Sequence, residues 1–162
     1  MGAINEKPED LINAMPWIKV EKDIKNQIIT FVLESEIQSE VGEIHLWTIR
    51  NNSKKELVGL LGVDQMTHHG GIWNFGYWVK NSYQKKGVAS KSISSAIKWL
   101  SQHYDKEYIE ITVKPDNIPG LATCKQILRH LSLNQNEFLD TILNHNGKEI
   151  CYRTYLIQLD KS

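Results

Sequence analysis

The order of segments in this chain predicts an α+β fold: a mixed, mainly antiparallel sheet with one parallel strand pair at its centre, flanked by helices. Three observations predict it. Three strand-like runs follow one another across short turns between Glu43 and Val79; a strand, helix, strand unit spans Ile72 to Val113; and two further strand-like runs close the chain.

The elements follow in order. Met15-Pro16-Trp17 marks a break, because a proline biases its predecessor away from helix. From Lys22, Ile24, Ile28, Phe31 and Val32 recur at helical spacing among Glu and Lys, which predicts an amphipathic helix with that face in the core. Glu43 to Arg50 alternates Ile44, Leu46 and Thr48 against His45, Trp47 and Ile49, and Asn51-Asn52-Ser53-Lys54 turns the chain into a second strand, Leu57 to Met66. His68-His69-Gly70-Gly71 reads as the next turn, and Ile72 to Val79, rich in Trp73, Phe75, Tyr77 and Trp78, as a third strand. Ala89, Ile93, Ala96, Ile97 and Leu100 share one face of a helix ending near His103, and Tyr108 to Val113 is a strand. Such a strand, helix, strand unit lays its two strands parallel. Lys114-Pro115-Asp116-Asn117 breaks that strand, a helix runs from about Ile118 to Leu131, and strands around Phe138 to Leu143 and Ile150 to Leu159 meet at the turn Asn144-His145-Asn146-Gly147.

At 162 residues of even composition, one domain with one core is expected. Nineteen basic and nineteen acidic residues balance, which argues against a broad nucleic-acid footprint or an anionic membrane surface. The two cysteines, Cys124 and Cys151, have neither CxxC spacing nor a disulfide framework, and no apolar run reaches membrane-spanning length, so a cytoplasmic protein is expected.

The segment Tyr83-Gln84-Lys85-Lys86-Gly87-Val88-Ala89-Ser90 joins the third strand to the following helix. It reads as a pyrophosphate cradle. A glycine with small neighbours lets backbone N–H groups approach an anion, the helix start adds about half a positive charge, and two lysines attract phosphate from further away. A solvated helix start is the plainer alternative. The pattern G-x-x-x-x-G-K-[ST] is absent, and one glycine instead of three, after antiparallel strands, disfavours a dinucleotide fold.

Three segments together resemble the GNAT superfamily of acyl-CoA-dependent N-acyltransferases. Gly76-Tyr77-Trp78-Val79 is similar to the G-Y-W-[LVI] strand of the ribosomal-protein-alanine acetyltransferase (RimJ/RimL-type) branch; Gln84-Lys85-Lys86-Gly87-Val88-Ala89 is similar to the loop [QR]-x-x-G-x-[GA]; and Ile109 to Val113 followed by Asp116-Asn117 resembles the strand ending in Asn. The resemblance runs from about Ala3 to Leu159, and a usual first strand ahead of Ala3 is expected to be missing. The open sheet edge that this implies suggests pairing with a partner or a second copy, a possible homodimer.

The resemblance implies acetyl-CoA as cosubstrate, no metal, and acetyl transfer to a primary amine by direct attack: a protein N-terminus ahead of a polyamine or other small amine. It implies that the parallel pair splays to admit the pantetheine arm, with backbone groups near Trp78, Val79 and Lys80 bonding its amides. Gln84, Lys85, Lys86, Gly87, Val88, Ala89 and Ser90 would hold the pyrophosphate, and Asn117 the arm from the far side. The expected oxyanion donor is a backbone N–H of Val79 or Trp78. Members often place a Tyr seven residues after the Asn as thiolate acid; this chain has Cys124 there. A thiol with pKa near about 8.5 is a candidate acid, against the reading of a small buried filler. The branch usually has Ser three residues after the Asn, and this chain has Gly120, so water is the remaining donor. Glu110 shares a strand face with Thr112 and is the candidate base, against that of a paired strand carboxylate. Asp64, His68 and His69 are weaker candidates, and no ligand spacing supports a metal. Where members end the second helix with Leu-Gly-Phe, Leu128-Arg129-His130-Leu131-Ser132-Leu133 predicts a longer helix without the usual glycine cap. A non-catalytic acyl-CoA-binding module is the alternative function, and a plain interaction domain the third.

Overall fold

The computed structural model describes residue 15, residues 18–19, 21–65, 72–104, 108–145 and 148–159. The expected break at Met15-Pro16-Trp17, the missing first strand, and the turn His68-His69-Gly70-Gly71 lie wholly or partly outside these residues. The described elements are α1 (Ile24–Glu40), β1 (Ile44–Arg50), β2 (Leu57–Gln65), β3 (Trp73–Val79), α2 (Val88–His103), β4 (Tyr108–Val113), α3 (Ile118–His130), β5 (Leu139–His145) and β6 (Lys148–Gln158). Hydrogen-bonded strands follow the order β1-β2-β3-β4-β6-β5, a mixed open sheet in which β3 and β4 form the parallel pair. The chain divides into two compact units, one comprising residues up to 64 with 76–86, the other 65–75 with residues from 87 on.

In the first unit Asp23 caps α1, its carboxylate accepting from the N–H groups of Lys25 and Asn26. Gly42, at φ 74°, ends the helix in the left-handed conformation that a side chain would strain. The α1 face expected in the core is only partly there. Ile24 and Ile28 pack on Ile18 and Trp78, but Phe31 and Val32 are half-buried, and Ser35 is the helix residue the structure buries, its hydroxyl donating to the Phe31 carbonyl at 2.7 Å. Antiparallel β1 and β2 run from Ile44 opposite Asp64 to Arg50 opposite Leu57, with an irregularity at Ile49/Arg50. Asn51 shapes the connection, its side-chain oxygen accepting from the Ser53 and Lys54 N–H groups. Gly59 is required by close approach: a Cβ there would stand 2.5 Å from the Trp78 carbonyl oxygen.

In the second unit Ile93, Ala96, Ile97 and Leu100 of α2, Ile109, Ile111 and Val113 of β4, Cys124, Ile127 and Leu128 of α3, and Tyr155 and Ile157 of β6 are buried. The expected α2 stripe is present except that Ala89 is half-buried and its neighbour Ser90 takes the buried place. β4 pairs antiparallel with β6 along its length, Tyr108 opposite Gln158 to Val113 opposite Arg153. The α3 helix ends at His130, and Ser132 at φ 59° adopts the left-handed position that a glycine usually fills, its successor Leu133 donating to the Leu128 carbonyl at 2.8 Å. One expectation is corrected. The β5–β6 ladder continues to His145 opposite Lys148, so Asn144 and His145 are strand rather than turn, and Asn146-Gly147 alone connects the pair, outside the described residues.

Candidate active site

The segment after β3 starts in the first unit. β3 is followed by a 3₁₀ turn, Asn81–Tyr83, and its end is braced twice. The Lys80 N–H donates to the Val58 carbonyl at 2.8 Å, and the Gln84 side-chain amide donates to the Val79 carbonyl at 3.0 Å. Both bonds refine the expected roles. Lys80's N–H is committed to β2, and Gln84 spends its amide on the turn. Successive strand residues direct their N–H groups to opposite edges, so Val79's N–H is turned away from β2. Trp78 is buried in the cluster with Ile18, which makes its side chain core.

Around this turn Glu56 gathers two donors, Lys80 Nζ at 2.5 Å and the Tyr83 hydroxyl at 3.0 Å, and Asn51 donates to the same hydroxyl at 3.3 Å. These hydrogen bonds, Lys80's first, hold the Glu56 carboxyl below its ordinary pKa. Lys86 folds back: its Nζ donates to the Ser82 carbonyl at 2.8 Å and lies 5.5 Å from the Tyr83 ring centre. The more forward of the two lysines is Lys85, exposed and itself in the left-handed conformation at φ 57°.

The second unit supplies the helix start. Gly87 is the N-cap of α2 at φ 72°, with no capping side chain, and its carbonyl accepts the first helical bond, from Lys91, at 3.1 Å. The N–H groups of Val88, Ala89 and Ser90 therefore have no helix carbonyl to bond, and no acidic residue sits in the first turn. Lys85 and Gly87 are thus both left-handed, an alternation of the kind from which backbone anion nests are built. The Ser90 side chain is not part of it. Ser90 is 1% exposed, and its hydroxyl lies 2.9 Å from Gln126 Oε1 and 3.1 Å from the Gly87 carbonyl, tying the start of α2 to α3.

Among the described residues, parallel pairing of β3 and β4 covers two rungs, Trp73 with Ile109 and Asn74 with Glu110. Beyond Glu110, β4 keeps β6 on its other edge. Side chains at Asn74, Glu110 and Thr112 share one face of the sheet, where the Thr112 hydroxyl donates to Asn74 Oδ1 at 3.2 Å. Glu110 is 7% exposed. Asn74 was not singled out from sequence; the register of the parallel pair, which alone sets it beside Thr112, is not readable there.

Asn117 caps α3, its oxygen accepting from the Gly120 N–H at 3.0 Å, so that half of its amide is engaged within the helix. Gly120 has a packing reason. A Cβ there would lie 2.8 Å from Val113 Cγ1 and 2.8 Å from Asn117 Nδ2, leaving no room for the serine of the resembled branch. Cys124 is fully buried, and burial pushes its thiol up to about 12. A group that holds its proton so firmly is a poor donor to a thiolate of ordinary pKa, which weighs against the acid role and for the small-filler reading. Among the described residues no group of three or more His, Cys, Asp and Glu is placed to hold a metal ion.

Three helices on a six-stranded mixed sheet, with β3 and β4 as its parallel pair, give the class as an acyl-CoA N-acyltransferase fold. The chain belongs to the GNAT acetyltransferase family, whose domain, described as "Acetyltransferase (GNAT) domain", matches residues 2–127. Enzymes of this family transfer acetyl from acetyl-CoA. No curated protein sequence matches the chain. Solved structures similar in fold include the microcin C7 self-immunity acetyltransferase MccE in complex with acetyl-CoA and AMP, at TM-score 0.74 and 19% identity, covering 96% of this chain and 83% of that one. Another is a Vibrio cholerae protein described as a "putative ribosomal-protein-serine acetyltransferase", at TM-score 0.66 and 15% identity over 93% and 87% of the two chains. A third is RimL, the ribosomal L7/L12 α-N-protein acetyltransferase with coenzyme A, at 0.67 and 17% over 87% and 76%. The neighbours thus include the branch that the strand and loop motifs resemble.

Proposed function

We propose that the protein acetylates a primary amine with acetyl-CoA by direct attack in a ternary complex, and that the acceptor is a protein N-terminus ahead of a polyamine or other small amine. The backbone from Lys85 to Ser90 carries this reading: Lys85 and Gly87 are left-handed, and the N–H groups of Val88, Ala89 and Ser90 have no helix acceptors. The diphosphate rests there. Lys85 and Lys86 draw it in, and the arm follows the edge of β4 that β3 leaves unpaired, Val113 towards Ile111, with Asn117 near its path. The acyl end then points towards the rung of Asn74 and Glu110, with Thr112 ahead of it.

An α-amino acceptor with pKa near about 8 needs little help to lose its proton, whereas a lysine near about 10.4 needs much more. Glu110 serves as the base in this reading, and water protonates the departing thiolate. The ribosomal-protein neighbours favour the N-terminal acceptor. Cytoplasmic residence fits two cysteines of which one is buried and one exposed. The missing acids at Gly120 and Cys124 favour one second reading, a non-catalytic acyl-CoA module.

Calorimetric titration with CoA tests the cradle. The protein binds CoA, and Gly87→Asp, which sets a carboxylate at the left-handed cap of α2 with its Cβ 3.8 Å from Gln126 Nε2 and Ser90 Oγ, weakens it at least about tenfold, roughly 1.4 kcal/mol. Equal affinity in the variant refutes the cradle. Release of free CoA with amino-terminal peptides, and none with any amine of a broad panel, separates the enzyme from the binding module.

A further inference from the structure

We infer that the hydrogen bond between Thr112 and Asn74 is the stop that restricts the donor to short acyl groups, an inference that rests on the acetyl-CoA reading above. Parallel pairing ends at Asn74 and Glu110, and the next rung on that face falls at Thr112. There the hydroxyl of Thr112 reaches back to Asn74 Oδ1 at 3.2 Å, so a side-chain bond crosses from β4 to β3 just where the backbone ladder stops. On the opposite face the same position is closed by core: Trp73, Phe75, Ile109 and Ile111 are each 3% exposed or less.

An acyl group arriving along β4 therefore meets packed apolar side chains on one face and the bridge on the other. Two carbons fit short of it. A four-carbon chain has to displace the part-buried bridge and so gives up its hydrogen bond. Pockets that exclude a methylene or two discriminate by about ten- to two-hundredfold. Asn74 and Thr112 are specificity residues in this account and take no part in proton transfer.

Calorimetry with CoA, acetyl-CoA and butyryl-CoA tests this without an identified acceptor. The native protein is expected to bind CoA and acetyl-CoA within about threefold of each other and butyryl-CoA at least about tenfold more weakly. Thr112→Ser keeps the hydroxyl and the gap; Asn74→Ala removes the bridge and brings butyryl-CoA within about threefold of acetyl-CoA. Thr112→Ala removes the same bond from the other side and gives the same answer if Asn74→Ala lowers the melting temperature. Butyryl-CoA bound as tightly as acetyl-CoA by the native protein, or an undiminished gap in both bridge variants, overturns the inference alone. Failure of CoA itself to bind overturns this inference and the proposed function together.

Discussion

Replacing Gly120 by alanine is the perturbation whose cost follows most directly from the structure. The added Cβ would stand 2.8 Å from Val113 Cγ1, on a stiff and buried side chain, and 2.8 Å from Asn117 Nδ2. Overpacking of this kind costs about 1–3 kcal/mol. Pushing the amide aside also lengthens the 3.0 Å capping bond from the Gly120 N–H, and loss of a cap costs about 1 kcal/mol. Against this, alanine gains up to about 1 kcal/mol over glycine in a helix. The net is a destabilisation of about 1–3 kcal/mol, or a fall in melting temperature of about 3–10 °C for a chain of this size. Thermal melts followed by circular dichroism read it. Asn117→Ala alone should cost about 1 kcal/mol, and the double variant less than the sum, because both changes remove the same cap. A Gly120→Ala protein melting at or above the native temperature would refute the reasoning. Gly120→Ser, which would restore the hydroxyl of the resembled branch, meets the same obstruction.

Three further outcomes follow from two titrating groups, Cys124 and Glu56. Cys124 is fully buried with its thiol near 12 and Cys151 is exposed, so an aromatic disulfide reagent at pH 8 should release one equivalent from the native protein and the second only in denaturant; two equivalents released at similar rates would contradict the burial. Cys124→Ala should leave acetyl-CoA turnover within a few-fold, and a hundredfold loss in a protein that still melts normally would return the acid role to Cys124. The folded-state pKa of Glu56 lies below its ordinary 4.5, so the carboxylate contributes stability that is present above about 4.5 and is lost as the pH falls through the lower folded value. Glu56→Gln should therefore melt with a shallower acid decline than the native protein, and parallel pH profiles would show that the Lys80 and Tyr83 bonds add nothing.

Much of the fold was legible because it depends on local periodicity. The boundaries of β4 are those the alternation predicts, and Ile93, Ala96, Ile97 and Leu100 line the buried side of α2 as their spacing requires. The α1 helix was legible as a helix but not in its burial: Ile29, Leu33 and Ile37 stay 45–67% exposed, since which stripe is covered depends on what packs against it. At the site, Gly87 was visible as the loop's glycine but its positive φ came from the structure, as did that of Lys85, which nothing in a lysine announces.

What the sequence by itself determined is the kind of element at each place and the loop of one glycine and two lysines ahead of α2: short-range spacing and composition specify these without reference to the rest of the chain. Tertiary structure alone decided how the candidate residues are employed. It spends Gln84 and the Lys80 N–H on bracing the turn, engages Asn117 as a cap, seals Cys124 in the core and sets Thr112 against Asn74. The physical reason is that a hydrogen bond or a pKa is set by neighbours far away along the chain, and strand register, which brings such neighbours together, is a property of the folded sheet.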